Sequence, residues 1–215
     1  MNAIYGRKVG MTRFFSKEGE SLPVTVLELK PNVIQQVKTL ENDGYKAIQV
    51  GIGEQKAQRL TKPLSRHYAK AKKGFPKSAK EIRLDRYLQG KEFSVGDELK
   101  LEELFEIGSK VDVAAVSIGK GFAGVIKRHH MKGSQTMSHG THEYFRHGGS
   151  IGCRKTPGRV FKNKRMAGHL GNKQVMQLGL TVVEVRAEEN VLLLLGSVPG
   201  PKNAEVFVRT SVKGA

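Results

Sequence analysis

The sequence predicts a mainly β protein, a β-barrel globular domain with a long basic, mostly irregular inserted extension. Two observations carry this prediction. Stretches rich in Val, Ile and Leu, with partial apolar–polar alternation, occur on both sides of the middle of the chain, as expected for strands with one buried face. Between them lies a stretch rich in glycine and positive charge, residues 117–173, called the basic segment below.

Three short strands are predicted near the N-terminus. Residues 22–30, 33–39 and 45–51 are rich in β-branched side chains, which favour strands, and residues 42–44 supply an Asn-Asp-Gly turn. Three strands in succession predict an antiparallel meander. Residues 56–92 show no clean period and contain two prolines, so we predict a surface subregion there, with one short helix.

Strand patterns also flank the basic segment. Residues 111–116 precede it, and residues 175–185 and 191–196 follow it. Because each flank alone offers few strands to close a barrel, we predict that residues 1–116 and 174–215 together form one globular β-barrel domain. The basic segment is then an insertion in that domain.

Positive charge is concentrated in the basic segment. The chain has 37 Lys and Arg against 20 Asp and Glu, a net charge of +17. The segment holds 12 of these bases and one acid, Glu143, whereas the other 158 residues carry 25 bases and 19 acids, an unexceptional balance for a soluble domain. Such an excess repels itself unless a polyanion neutralises it. Nucleic acid or an anionic membrane is the implied partner.

The same segment holds 11 of the 25 glycines and 6 of the 7 histidines, and its apolar residues are isolated. It cannot build a core of its own, so we expect it to become ordered when a partner covers it. A low-complexity linker is the alternative, but the segment has no repeat and is not rich in Ser or Pro.

Several protein classes do not fit the composition. No apolar run approaches the roughly 20 residues that span a bilayer, and the N-terminal residues lack the apolar stretch of a signal peptide. One cysteine, Cys153, forms neither an intrachain disulfide nor a thiolate metal cage. The sequence therefore predicts a cytoplasmic protein with no membrane association.

Two glycine-rich patterns occur in the basic segment. Residues 152–168 alternate bases with glycine and small residues, which suits close approach to a phosphate backbone; a solvated basic loop is the alternative. Residues 119–124 have the letters Gly-x-Gly-x-x-Gly after a strand, but no helix–strand unit and no acid about 20 positions later complete a nucleotide site. No cofactor and no small-molecule substrate are predicted.

Histidines and aromatic residues interleave with the bases. Five histidines raise the alternative of a metal-dependent nuclease, but only His139 and His142 are closely spaced and Glu143 is the one acid available as a general base. No metal site and no catalytic residue are therefore predicted. Tyr144 and Phe145 are expected to stack on unpaired bases. In the alternative interpretation the aromatic residues of the segment form a small hydrophobic cluster, which suits Phe122 and Phe161 in particular.

The predicted RNA-binding residues combine phosphate-binding cations with stacking rings. They are Lys120, Lys127, Arg128, His129, His130, Tyr144, Phe145, Arg146, Arg154, Lys155, Arg159, Lys162, Lys164 and Arg165.

Eight phrases, in order along nearly the whole chain, resemble the bacterial large-subunit ribosomal protein three family. They are residues 6–13 (GRKVGMTR), 43–50 (DGYKAIQV), 119–128 (GKGFAGVIKR), 138–140 (SHG), 149–152 (GSIG), 154–160 (RKTPGRV), 164–168 (KRMAG) and 196–200 (GSVPG).

The resemblance implies a surface β-barrel domain and an extension that penetrates toward the peptidyl transferase centre. It implies a non-enzymatic protein that binds large-subunit (23S-type) rRNA early, helps nucleate subunit assembly, and lies beside neighbouring large-subunit ribosomal proteins. A free-standing nucleic-acid chaperone is the alternative.

The chain departs from the family pattern at several positions. His129 and His130 stand where the family commonly has Trp-Asn, Cys153 stands where some relatives have a methylated glutamine, and residues 114–118 are less polar than usual.

Overall fold

Strands dominate the computed structural model, which describes residues 1–136 and 138–213. In chain order the strands are β1 (Ala3–Phe15), β2 (Ser21–Glu28), β3 (Asn32–Lys38), β4 (Ala47–Glu54), β5 (Pro76–Arg83), β6 (Glu98–Leu99), β7 (Lys110–Val116), β8 (Phe122–Ala123), β9 (Gly168–His169), β10 (Gln174–Arg186), β11 (Val191–Leu195) and β12 (Glu205–Thr210). The α-helices are α1 (Leu40–Asp43), α2 (Lys62–Tyr68) and α3 (Val125–His129), and 3-10 turns lie at Ala57–Arg59, Ala69–Ala71 and Thr141–Glu143. Met137 of the basic segment, and Gly214 and Ala215 of the predicted globular domain, lie outside the described residues.

Six antiparallel strands close into a barrel in the order β1-β12-β7-β10-β11-β2. Three of these strands precede the basic segment and three follow it, so the predicted fold class is confirmed. Apolar side chains that point inward are completely buried, among them Ile4, Leu27, Val113, Leu194 and Val208. Their removal from water is the main stabilising contribution to this domain.

Only half of the predicted N-terminal meander forms: β3 and β4 pair in antiparallel fashion, but β2 does not pair with β3. β2 pairs with β1 and β11 in the barrel, whereas β3 and β4 belong to a second sheet of order β5-β4-β3-β6. The side chain of Asn32, at the start of β3, donates to the carbonyl oxygen of Tyr5 at 3.0 Å and accepts from its N–H at 2.8 Å. Alternation in the sequence reveals a buried face, but it does not reveal which strand is the neighbour.

Residues 56–92 contain the predicted short helix, α2, and also a strand that was not predicted. β5 pairs with β4 over its whole length and forms one edge of the second sheet. Ile82 is 1% exposed and joins the same apolar core as the barrel residues. The sequence does not predict this strand because most of its other residues are polar or exposed, as is typical of an edge strand.

The chain divides into two compact units. Met1–Val116 and the residues from Gln174 onward form the first, and Ser117–Lys173 form the second. The second unit contains β8, β9, α3 and one 3-10 turn, with irregular chain between them. None of the helices within the described residues is long and apolar enough to cross a membrane.

A buried carboxylate links three strands of the barrel. The register of β10 shifts between Gln177 and Leu180, and Asp112 of β7 accepts the N–H of Gly179 in this bulge at 3.0 Å. Its other oxygen accepts from Nε and Nη2 of Arg209 in β12, at 3.1 and 3.0 Å. The hydrogen bond to Tyr87, followed by that to Asp112, raises the pKa of Arg209.

Replacing Arg209 by Met should lower the free energy of unfolding by about 3 kcal/mol, because the buried Asp112 carboxylate loses its counter-charge. The double variant Asp112→Asn, Arg209→Met should recover about 1 kcal/mol, since Asn accepts from Gly179 without a buried charge. Urea unfolding of the three proteins measures both differences. A double variant no more stable than the single one would show that the unpaired charge is not the cause.

Candidate nucleic-acid interface

Backbone hydrogen bonds join the two ends of the basic segment. The N–H of Ser117 donates to the carbonyl of Lys173, that of Lys120 to Leu170, and that of Leu170 to Gly121, each at 2.9 Å. The antiparallel pair β8–β9 continues this ladder. The segment therefore begins and ends at one short two-stranded stem.

Two of the predicted RNA-binding side chains meet at one backbone oxygen. Arg128 and His129 lie in the last turn of α3. Nη1 of Arg128 donates to the carbonyl oxygen of Met166 at 2.7 Å, and Nε2 of His129 lies 3.1 Å from the same oxygen. Both side chains thus connect α3 to the chain just before β9. The other guanidinium nitrogens of Arg128 remain able to donate hydrogen bonds to a ligand.

The longest exposed stretch of the segment carries half of the predicted residues. Every residue from 146 to 167 is exposed, and the stretch has seven bases and no acid. The seven bases are Arg146, Arg154, Lys155, Arg159, Lys162, Lys164 and Arg165. Their charged groups are accessible to a ligand without any rearrangement of a core.

The exposed aromatic residues differ from those predicted. Tyr144 is 51% exposed, as its proposed stacking role requires, but Phe145 is partly buried. Phe122 and Phe161, which the alternative placed in a hydrophobic cluster, are 80% and 63% exposed. That cluster does not form. The Arg159 guanidinium lies 5.9 Å from the centroid of the Phe161 ring, within reach of a cation–π contact.

The positive charge of the segment is not neutralised within it. All ion pairs found among the described residues join side chains before Ser117 or after Lys173. Glu143 is the one acid in the sequence of the segment. Unpaired cations this close together produce a strongly positive potential, which attracts a polyanion.

The remaining predicted residues, Lys120, Lys127 and His130, are exposed. Two further exposed bases of the basic segment, Lys132 and Lys173, are not among the predicted residues. The one sequence signal that marks them is that they lie in this segment.

No group of three or more His, Cys, Asp or Glu in residues 1–136 and 138–213 is arranged to hold a metal ion.

Comparison with known proteins identifies the family. A family model described as ribosomal protein L3 matches residues 88–191. The large ribosomal subunit protein uL3 of Thioalkalivibrio sulfidiphilus is 51% identical over 98% of this chain and 97% of its own length. The corresponding proteins of Dichelobacter nodosus and Vibrio cholerae are 49% and 50% identical, over 98% and 99% of this chain and 98% and 100% of their own lengths. The chain belongs to the ribosomal protein L3 family.

Membership of the L3 family confirms the resemblance noted in the sequence. L3 proteins are structural, non-enzymatic constituents of the large ribosomal subunit, so this chain is one as well, and it is located in the cytoplasm. The nuclease alternative is inconsistent with a non-enzymatic family, and the free-standing chaperone is inconsistent with a subunit constituent.

The stem of the basic segment should depend on Gly171. Its φ is +73°, and a Cβ at this position would overlap the carbonyl oxygen of Ile118. Gly171→Ala should therefore open the stem, and amide hydrogen exchange at Lys120 and Leu170 should accelerate. Gly149→Ala is the matched control, because Gly149 has the same φ of +73° with nothing within 4 Å of the added Cβ. Equal exchange in the two variants would contradict this role.

Proposed function

We propose that this chain binds large-subunit (23S-type) rRNA through residues 117–173, helps nucleate subunit assembly, and supports the architecture near the peptidyl transferase centre. The observation that carries the proposal is the run of residues 146–167, which is exposed throughout and contains bases but no acid. Among the described residues these bases form no ion pair, and a phosphate backbone supplies the counter-charge.

The side chains of the segment match the chemistry of RNA. Arg154, Lys155 and Arg159 are exposed cations that can donate charge-assisted hydrogen bonds to phosphate oxygens. The exposed rings of Phe122, Tyr144 and Phe161 offer faces on which unpaired bases can stack. The mixture favours a site where RNA strands and unpaired loops come close together, rather than one regular duplex.

The proposed role in assembly follows from charge. RNA helices repel each other, and a chain that places a net +11 from 57 residues between them lowers that repulsion. In this proposal residues 117–173 are the part that penetrates the rRNA. Residues 1–116 and 174–215 are the globular domain, which lies at the subunit surface beside neighbouring ribosomal proteins.

Replacing Arg154, Lys155 and Arg159 by Gln should weaken binding to large-subunit rRNA and flatten its salt dependence. Each lost phosphate contact should change the slope of log K against log salt by about 0.7, so three contacts change it by about 2. Filter binding or fluorescence anisotropy across a salt series measures the slope.

The matched control replaces Lys17, Lys46 and Lys100 by Gln, since these lysines are also exposed and form none of the ion pairs found among the described residues. A chain lacking residues 119–171, closed by a short linker across the Ser117–Lys173 hydrogen bond, should lose specific binding. If the deletion variant and the unaltered protein bind rRNA equally well, the basic segment is not the binding element.

The basic segment should be cleaved by protease in the free protein and protected in the RNA complex. Only Ala123, Val125 and Thr141 are buried among its described residues, so little apolar burial offsets the entropy of ordering it. Limited proteolysis should cut between Gly119 and Gly171 while the barrel survives, and rRNA should suppress the cuts. Equal resistance of segment and barrel without RNA would contradict ordering by RNA.

A further inference from the structure

A second concentration of positive charge lies outside the basic segment. Residues 56–80, called the α2 segment below, contain nine Lys and Arg and no acid. The rest of the chain outside residues 117–173 contains sixteen bases and nineteen acids. Within residues 1–116 and 174–215, the excess of bases over acids is therefore confined to these 25 residues. The net charge of the whole unit does not reveal this concentration. The nine bases are Lys56, Arg59, Lys62, Arg66, Lys70, Lys72, Lys73, Lys77 and Lys80.

All nine bases are exposed, whereas apolar residues anchor the segment from within. The bases lie on α2, on or beside two 3-10 turns, and on the edge strand β5. Tyr68 and Ala71 are 7% and 4% exposed, and Nε2 of His67 is 2.8 Å from Oε1 of Gln49 in β4. The cations thus stand on a folded support, so a ligand binds without having to order the chain.

These charges have almost no counter-charge in the protein. Within residues 1–136 and 138–213, Lys73 is the one base of the α2 segment with an ion pair, to Glu98 at 2.8 Å. Bases elsewhere in the unit are more often matched, as Arg7 is with Glu28 and Lys38 with Glu81. The other eight cations, all within 25 residues of sequence, form no ion pair among the described residues, and an external polyanion supplies the missing counter-charge.

The composition of the segment indicates which polyanion fits. Seven of the nine bases are lysine, a residue depleted at protein–protein interfaces, so RNA is favoured over an acidic protein. The segment has only two aromatic residues, Tyr68 and Phe75, of which one is buried and one partly buried. It offers no exposed aromatic ring for stacking on unpaired bases. What remains is contact with phosphates, the groups that a paired RNA helix presents outward.

We propose that the α2 segment is a second RNA-binding surface, which holds the phosphate backbone of a double-helical RNA element. This inference rests on the proposed RNA-binding function and adds a second contact of different chemistry. The basic segment combines cations with exposed rings, and the α2 segment has cations alone. Two attachment points on one chain raise the effective concentration of each for the same RNA molecule.

The test uses the full-length chain with Lys62, Arg66 and Lys70 replaced by Gln. Its probes are a fully paired RNA duplex and an unpaired strand of equal length, each titrated across a salt series. The variant should flatten the salt slope for the duplex by about 2 to 3 and leave the slope for the unpaired strand nearly unchanged. The control is again the protein with Lys17, Lys46 and Lys100 replaced by Gln, whose duplex slope should change by less than about 1. Circular dichroism should show the same β structure in all three proteins.

Two results would overturn the inference. Equal flattening by the test and control variants would assign the effect to total charge rather than to this surface. An unchanged duplex slope in the test variant would show that this surface does not hold a double-helical RNA. A different result would contradict the proposed function itself: normal rRNA binding by the chain that lacks residues 119–171.

Discussion

Barrel closure depends on antiparallel pairing between strands that are far apart in the chain. β1 pairs with β12, from Ala3 opposite Arg209 to Arg7 opposite Glu205, and β7 pairs with both β12 and β10. The basic segment is inserted between β7 and β10, whose pairing begins at Val116 opposite Gln174. Because the entropy of loop closure grows slowly with loop length, a 57-residue insertion adds little cost to this pairing.

The sequence predicted most of the barrel strands from their β-branched and aliphatic residues, but it missed two of them, β1 and β12. β1 was missed because Arg7, Lys8 and two glycines interrupt its pattern, and its register shifts between Lys8 and Gly10. β12 was overlooked although Val206 and Val208 alternate and are buried. The predicted pairing of β2 with β3 was wrong because the partner of a strand depends on three-dimensional packing. At the start of β3, the Asn32 side chain hydrogen-bonds to the backbone of Tyr5 in β1.

Composition located the candidate RNA interface, but not its details. The bases of residues 146–167 were predictable from local charge, since so polar a stretch has no way to be buried. The choice among aromatic residues was not predictable, because side-chain exposure depends on tertiary packing, which leaves Phe122 of β8 80% exposed and Phe145 partly buried. The α2 segment escaped notice for a different reason. Its positive charge is partly offset by acidic residues elsewhere in the same unit. The net charge of the unit therefore does not show where the bases are concentrated.

Charge and core are separated along this chain, and that separation reconciles a net charge of +17 with a stable fold. Residues 56–80 and 117–173 hold 21 of the 37 bases and one of the 20 acids. The other 133 residues have sixteen bases and nineteen acids, so the barrel strands pack with little electrostatic self-repulsion. In residues 56–80 the cations stand outside a buried support, whereas residues 117–173 have only three buried residues among those described. A bound polyanion would therefore change the conformational stability of the basic segment most and that of the barrel strands least.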